Sequence, residues 1–152
     1  MALSNRDRIG KAMELLGPAL NRFLTTAIDP ELQTGTWLEL LRIKDQSKGA
    51  ASNKIYTADD PANGLRMITE NVTGTVRKGW YPLNGMLSRV QESYASELRD
   101  ARNRQAHMES FDNDDAQRIL DTAERLLKAI NAPAEAEQVR KLRVDLRRVA
   151  AD

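Results

Sequence analysis

Residues 112–133, DNDDAQRILDTAERLLKAINAP, decide the fold. Asp112 with Asp115 three places on reads as a helix start, because a carboxylate there accepts hydrogen bonds from first-turn amides that lack partners. Ile119, Ala123, Leu126, Leu127 and Ile130 then recur at three- and four-residue steps, so a helix puts them on one face. Asn131-Ala132-Pro133 ends the run, since proline cannot continue the hydrogen-bond ladder.

The same period extends both ways. Downstream, Val139, Leu142, Leu146 and Val149 form the narrow seam of a further helix, read as closing the bundle rather than pairing two chains. Upstream, Ser88 with Gln91 caps a helix carrying Tyr94, Leu98 and Ala101. Glu109-Ser110-Phe111 joins that helix to the deciding segment, which makes the two antiparallel neighbours. Asp60-Pro61 starts another helix, with Leu65, Ile68, Val72, Val76 and Trp80 in one stripe, before Tyr81-Pro82 and Asn84-Gly85 break it. Thr36 caps a short helix through Ile43, and residues 44–59 read as a long polar surface loop. At the start, Ser4 and Asp7 form a capping box ahead of Ile9, Met13, Leu16, Leu20, Leu24 and Ala27. Gly17-Pro18 predicts a kink or two abutting helices there, and Asp29-Pro30 ends the segment. Short β-branched runs bounded by turns are missing, so the expectation is an all-α bundle.

Composition narrows the chemistry. The 152 residues suit one domain, and 41% hydrophobic with 30% charged residues is an ordinary globular balance. No run approaches the roughly 18 apolar residues of a membrane span, and the N-terminus does not read as a signal peptide. There is no cysteine, which removes disulfides and thiolate metal sites and makes a reducing cytoplasm the default. With one histidine, a zinc site would need carboxylates almost alone, so the expected chemistry is metal-free or uses magnesium on carboxylates. A net charge of +1 attracts polyanions only weakly, so a nucleic-acid site would have to be local.

RNRQAH, residues 102–107, holds that single histidine at the expected helix end. At about 100° per residue, Asn103 and His107 lie nearly above one another, with Asp100 and Ser96 on the same face. Tyr94, Leu98 and Ala101 face the other way, and Arg102 stands about 140° from His107 around the axis. Histidine titrates near neutrality and suits general acid–base work. Arginine suits a phosphate through planar paired donors, and asparagine can orient either partner. Together they make a minimal set for metal-free attack on a phosphodiester. The plain alternative is a polar C-cap on an ordinary helix.

Other features carry two readings each. VRKLRVDLRR, residues 139–148, offers Arg140, Lys141, Arg143, Arg147 and Arg148 either as an RNA-facing strip or, preferably, as a solvated helix face offset by nearby acids. Trp80-Tyr81 reads as core plus rim before base stacking. Asp59-Asp60 and Asp114-Asp115 read as helix caps before metal ligands. The glycines near Gly74 and Gly79 lack the spacing of a phosphate loop.

The stretch ELRDARNRQAHMESFDNDDAQRILDTAERLLKAINAPAEAEQVRKL, residues 97–142, resembles the HEPN family (higher eukaryotes and prokaryotes nucleotide-binding). The branch is the one named for a yeast endonuclease of transcript quality control. NRDRIGKAMELL with Gly17-Pro18 is similar to the start of its bacterial members. Family members often carry tryptophan where Gln105 stands, a departure that bears on packing or pairing. The resemblance implies an up-and-down bundle of four to five helices over 1–152, in the manner of an N-terminal module of larger bacterial proteins. It implies a cytoplasmic, metal-independent endoribonuclease without cofactor, in phage defence or RNA processing. The 2′-hydroxyl of RNA would attack the adjacent phosphate and leave a cyclic phosphate and a 5′-hydroxyl. His107 would be general acid or base, Arg102 would bind the scissile phosphate, and Asn103 would position it. Asp100 and Glu97 would support that set, geometry favouring Asp100, and Arg99 and Arg104 would bind RNA. The implied partners are RNA, a second copy across a composite cleft, and a fused or associated ATPase, helicase or antitoxin. A non-catalytic HEPN module that binds RNA or dimerises to recruit fused machinery shares every one of these residues. A partner-binding bundle without any RNA role is the third reading.

Overall fold

Cap chemistry sets most of the helix starts in the computed structural model, which describes residues 3–49 and 54–151. Ser4 and Asp7 form the expected capping box at α1 (Asn5–Ile28). Asp60 accepts from the Ala62 amide at α3 (Pro61–Thr69), Ser88 and Gln91 box the start of α5 (Arg89–Ala106), and Asp112 accepts from the Asp115 amide at α6 (Asn113–Ala129). Helices α2 (Trp37–Ser47), α4 (Val72–Val76) and α7 (Pro133–Ala151) complete the set, with a 3-10 turn at Asp29–Glu31. The protein is all-α, and no described helix is long and apolar enough to cross a membrane.

Five helices close a ring: α1 packs on α3, α3 on α5, α5 on α6, α6 on α7, and α7 on α1. Ion pairs fix their directions. Arg8–Asp145 and Arg22–Glu135 make α1 and α7 antiparallel, and Arg104–Asp115 and Arg118–Glu97 do the same for α5 and α6. The exception to alternation is α1 beside α3, where Gly17 meets Pro61 and Leu20 meets Gly64, so the two run parallel. The intervening chain, including α2, makes that return. Leu16, Leu20, Leu24, Leu65, Leu98, Leu120 and Leu126 fill the centre, all but inaccessible to water. Each such side chain contributes about 1.5–3 kcal/mol relative to exposure.

Four expectations need correction. Of the two outcomes expected at Gly17-Pro18, two abutting helices do not occur: α1 runs through as one helix with Pro18 inside it. Gly17 is instead a point of close approach: a Cβ there would lie 1.9 Å from the Asp59 carbonyl oxygen. Thr36 does stand at the N-cap of α2 but its hydroxyl caps nothing; Asp29 Oδ1 accepts from the Trp37 amide at 2.7 Å. Burial pushes the Asp29 carboxyl up, against that bond. The loop set at 44–59 begins later, because Lys44 and Asp45 are buried helical residues whose charges have partners in the fold; residues 50–53 lie outside the described residues. The stripe from Leu65 to Trp80 is not one helix. Asn71 adopts a left-handed conformation, φ 53°, that ends α3 and starts the short α4, which leaves Val76 exposed.

Replacing Gly17 by alanine drives a methyl group into backbone that cannot rotate away. We expect Gly17→Ala to lose about 1–3 kcal/mol in urea denaturation, although alanine is the better helix former. Unchanged or increased stability would contradict the close approach.

Candidate functional site

Three faces of α5 have separate tasks. Ala95, Leu98 and Ala101 are buried against the core. Arg99 and Arg102 lie on the flank toward α3, and Glu97 and Arg104 on the flank toward α6. Ser96, Asp100, Asn103 and His107 form the exposed outer ridge.

The candidate residues therefore fall into two groups. Arg99 donates to Thr69 Oγ1 at 3.1 Å and Glu70 Oε2 at 2.6 Å. Arg104 donates to the Ser110 carbonyl and Asp115, with its guanidinium over the Phe111 ring. Glu97 pairs with Arg118 at 2.8 Å. These three hold helices together, and their charges are already matched. Asn103 and His107 are exposed, and among the described residues neither side chain has a hydrogen-bond partner. Asp100 has no cationic partner among them either. Arg102 is half-buried, and its nearest acid is the α3 cap Asp60, 3.7 Å away. It borders a shallow groove with Arg6, Met13, Pro18, Pro61 and Met108. At about 100° per residue, Arg102 and His107 stand about 140° apart around the axis.

Arg99 ties α5 to α2 and α3 through a cluster that the sequence does not announce. Arg66 of α3 donates to both oxygens of Asp45, at 2.9 and 2.7 Å, and to Glu70 at 2.8 Å. Lys44 reaches Glu70 at 2.8 Å, Tyr56 donates to Asp45, and Arg99 closes the set from α5. The Arg66 hydrogen bonds hold the Asp45 carboxyl well below the usual range. Burial pushes Glu70 up, but the bonds from Arg66 and Lys44 and the charges of Arg66 and Arg99 outweigh it, leaving it at about 2. Burial and the Asp45 contact raise the Tyr56 phenol.

The end of α5 is closed with unusual firmness. His107 is the C-cap, and Met108 sits in the left-handed region at φ 62°. The Met108 amide donates to the Gln105 carbonyl and the Glu109 amide to the Arg104 carbonyl, the paired closure that glycine usually makes. Arg6 of α1 donates to the Gln105 carbonyl at 3.2 Å and contacts Met108 Sδ. Arg6 escaped the sequence reading because its role depends on α1 meeting α5 about 100 residues away in the chain.

The other candidates resolve toward structure. Arg143 pairs with Glu124, Arg148 with Asp145 and Arg140 with Glu137, so the 139–148 strip is largely neutralised; Lys141 and Arg147 are exposed without ion pairs among the described residues. Trp80 is buried and donates from Nε1 to Glu31, and Tyr81 is the exposed rim. Asp60 caps α3, Asp59 accepts from Asn21, and Asp115 pairs with Arg104. Among the described residues, no group of three or more metal-binding side chains gathers.

The family model described as Swt1-like HEPN matches residues 11–131, from the first turns of α1 past the end of α6, and so takes in residues 102–107. No curated protein and no solved structure matches the chain.

The Glu70 carboxyl falls from 4.5 unfolded to about 2 folded, so its stabilisation is complete above pH 4.5. It should be lost as pH falls from there toward 2. Thermal melting against pH should show this decline. In Arg66→Leu, Glu70 keeps only Lys44 and Arg99 to offset its burial and Asp45 loses its main partner, so the decline in mild acid should be smaller than in the parent.

Proposed function

The chain belongs to the Swt1-like HEPN family, and on that premise we propose that it is a metal-independent endoribonuclease domain. The observation that carries this reading is the division of α5. Arg99, Arg104 and Glu97 are held in internal pairs, whereas Asn103 and His107 present unengaged polar atoms on the outer ridge.

The chemistry follows from the groups available. A basic imidazole of His107 takes the proton of an RNA 2′-hydroxyl as its oxygen forms a bond to the adjacent phosphorus. The bond from phosphorus to the 5′-oxygen breaks, and an imidazolium returns a proton to that oxygen. The products are a 2′,3′-cyclic phosphate and a 5′-hydroxyl. The chain has one histidine, which cannot be base and acid in the same step. Two chains paired across their outer α5 ridges would supply one of each. Such pairing also answers the position of Arg102, since a guanidinium on the α3 flank of one chain can reach a phosphate held at the ridge of its partner. There it would offset the charge developing on the phosphoryl oxygens. Asn103 would hold the phosphate in line, and Asp100 would support from the same ridge. No metal or cofactor takes part in this scheme.

One observation favours a second reading. Arg102 and His107 stand about 140° apart around α5. If pairing does not bring them together, the domain binds RNA or a second copy and recruits other machinery without cutting.

Purified protein incubated with structured and single-stranded RNA separates the two. Cleavage should persist in chelator and leave cyclic phosphate ends. His107→Ala should abolish it with stability within about 0.5 kcal/mol of the parent, because the side chain is exposed. Arg102→Ala should lower the rate by about 10²–10³. Tight RNA binding without any cyclic phosphate establishes the recruiting module instead.

A further inference from the structure

The proposed reaction leaves a concavity beside it unused. Between α5 and α6 runs a groove of about 420 Å³ that opens beside the outer ridge. Its apolar lining comes from Leu98, Ala101 and Ile119. Its lips carry two acid–arginine pairs, Glu97–Arg118 and Arg104–Asp115, each satisfied within itself. Besides Ser96 at the exposed mouth, two polar groups are left over. Thr122 lines the groove at only 3% exposure, and no side-chain hydrogen bond within the fold engages its hydroxyl among the described residues. Asp100, also lining it, is the one carboxylate there without a cation. Polar groups left open along a groove can pair with the polar edge of a ligand.

We propose that the α5–α6 groove is a nucleobase subsite that selects guanine. The inference rests on the ribonuclease reading for its ligand, RNA, and adds the base that the site prefers. Asp100 stands three residues, about 4.5 Å of helix rise, from Asn103, so a base seated there belongs to a nucleotide next to the phosphate at Asn103 and His107. Single-stranded RNA splays its bases in this manner, with flat faces on apolar surface and edges toward polar groups. An ionised carboxylate only accepts, so the base must present donors to Asp100. Guanine sets N1–H and the N2 amino group side by side, matching the two carboxylate oxygens. Adenine and cytosine offer one amino group each, and uracil a single imino hydrogen. The Thr122 hydroxyl can donate to a guanine ring acceptor deeper in the groove. The paired arginines at the lips suit the stacked base and its sugar-phosphate, since guanidinium planes lie well on aromatic faces.

The test titrates isotope-labelled protein with GMP, AMP, CMP, UMP and IMP, following backbone amides. GMP should shift amides lining the groove, Thr122 among them, and bind about tenfold more tightly than the others, IMP included, because it lacks the second donor to a charged acceptor. Ser96→Trp, an exposed substitution at the mouth, should remove the groove shifts with folding intact. Asp100→Asn should level the preference. Equal shifts from all five nucleotides, shifts elsewhere only, or shifts that survive Ser96→Trp overturn the subsite. RNA cleavage is scored separately on the same proteins. Cleavage without GMP binding overturns the subsite and leaves the nuclease, and GMP binding without cleavage leaves the subsite and overturns the nuclease.

Discussion

Arg66 is where the structure is tied. One guanidinium, half in the protein and half at its surface, bridges Asp45 of α2 and Glu70 at the end of α3, and Glu70 in turn holds Arg99 of α5. A cation shared between two acids in low dielectric is demanding: each partner removed leaves a desolvated charge behind. That demand fixes the geometry of three helices and of the returning chain through Tyr56. The parallel run of α3 beside α1 is set separately, by Gly17 against Asp59 and Pro61 and by Gly64 against Leu20. The ridge bearing Asn103 and His107 inherits its position from this arrangement.

Much of this is legible in the sequence alone. Ser4, Ser88, Asp60 and Asp112 announce helix starts because capping is local, settled within three residues. The stripes of α5 and α6 are legible because their apolar period agrees with one face buried. What the sequence hid is what distance in the chain creates. Asp45 and Lys44 look like the polar opening of a loop until Arg66 and Glu70 meet them. Asp29, not Thr36, caps α2, since a reversal of the chain brings the carboxylate nearer than the local hydroxyl. Asn71 splits an apolar stripe that periodicity alone reads as continuous.

The candidate residues stand out in the sequence; their arrangement does not. Arginine, asparagine and histidine at these spacings suggest a chemistry, and the matched family supports a nucleotide- or RNA-related function. Spacing also separates Arg102 from the ridge, and the structure sharpens that separation by seating Arg102 near Asp60. Arg99 and Arg104 look equivalent to Arg102 in sequence; only tertiary contacts reveal that their charges are matched internally. Unpaired polarity on one ridge of an otherwise balanced helix therefore separates the candidates better than any count of basic residues.

Met108 carries a further consequence. Holding a long side chain in the left-handed region costs about 1 kcal/mol, and the closure beneath it offsets that through two backbone bonds and the Arg6 contact. The backbone on either side of His107 is thereby settled within the folded chain. Only two torsions of the imidazole remain to be searched, and freezing them costs on the order of 1 kcal/mol, where ordering a loose loop would cost about 1–2 for every residue. The histidine behaves as a pointer on a fixed mount, and whatever docks against it meets a surface whose entropy has largely been spent in folding.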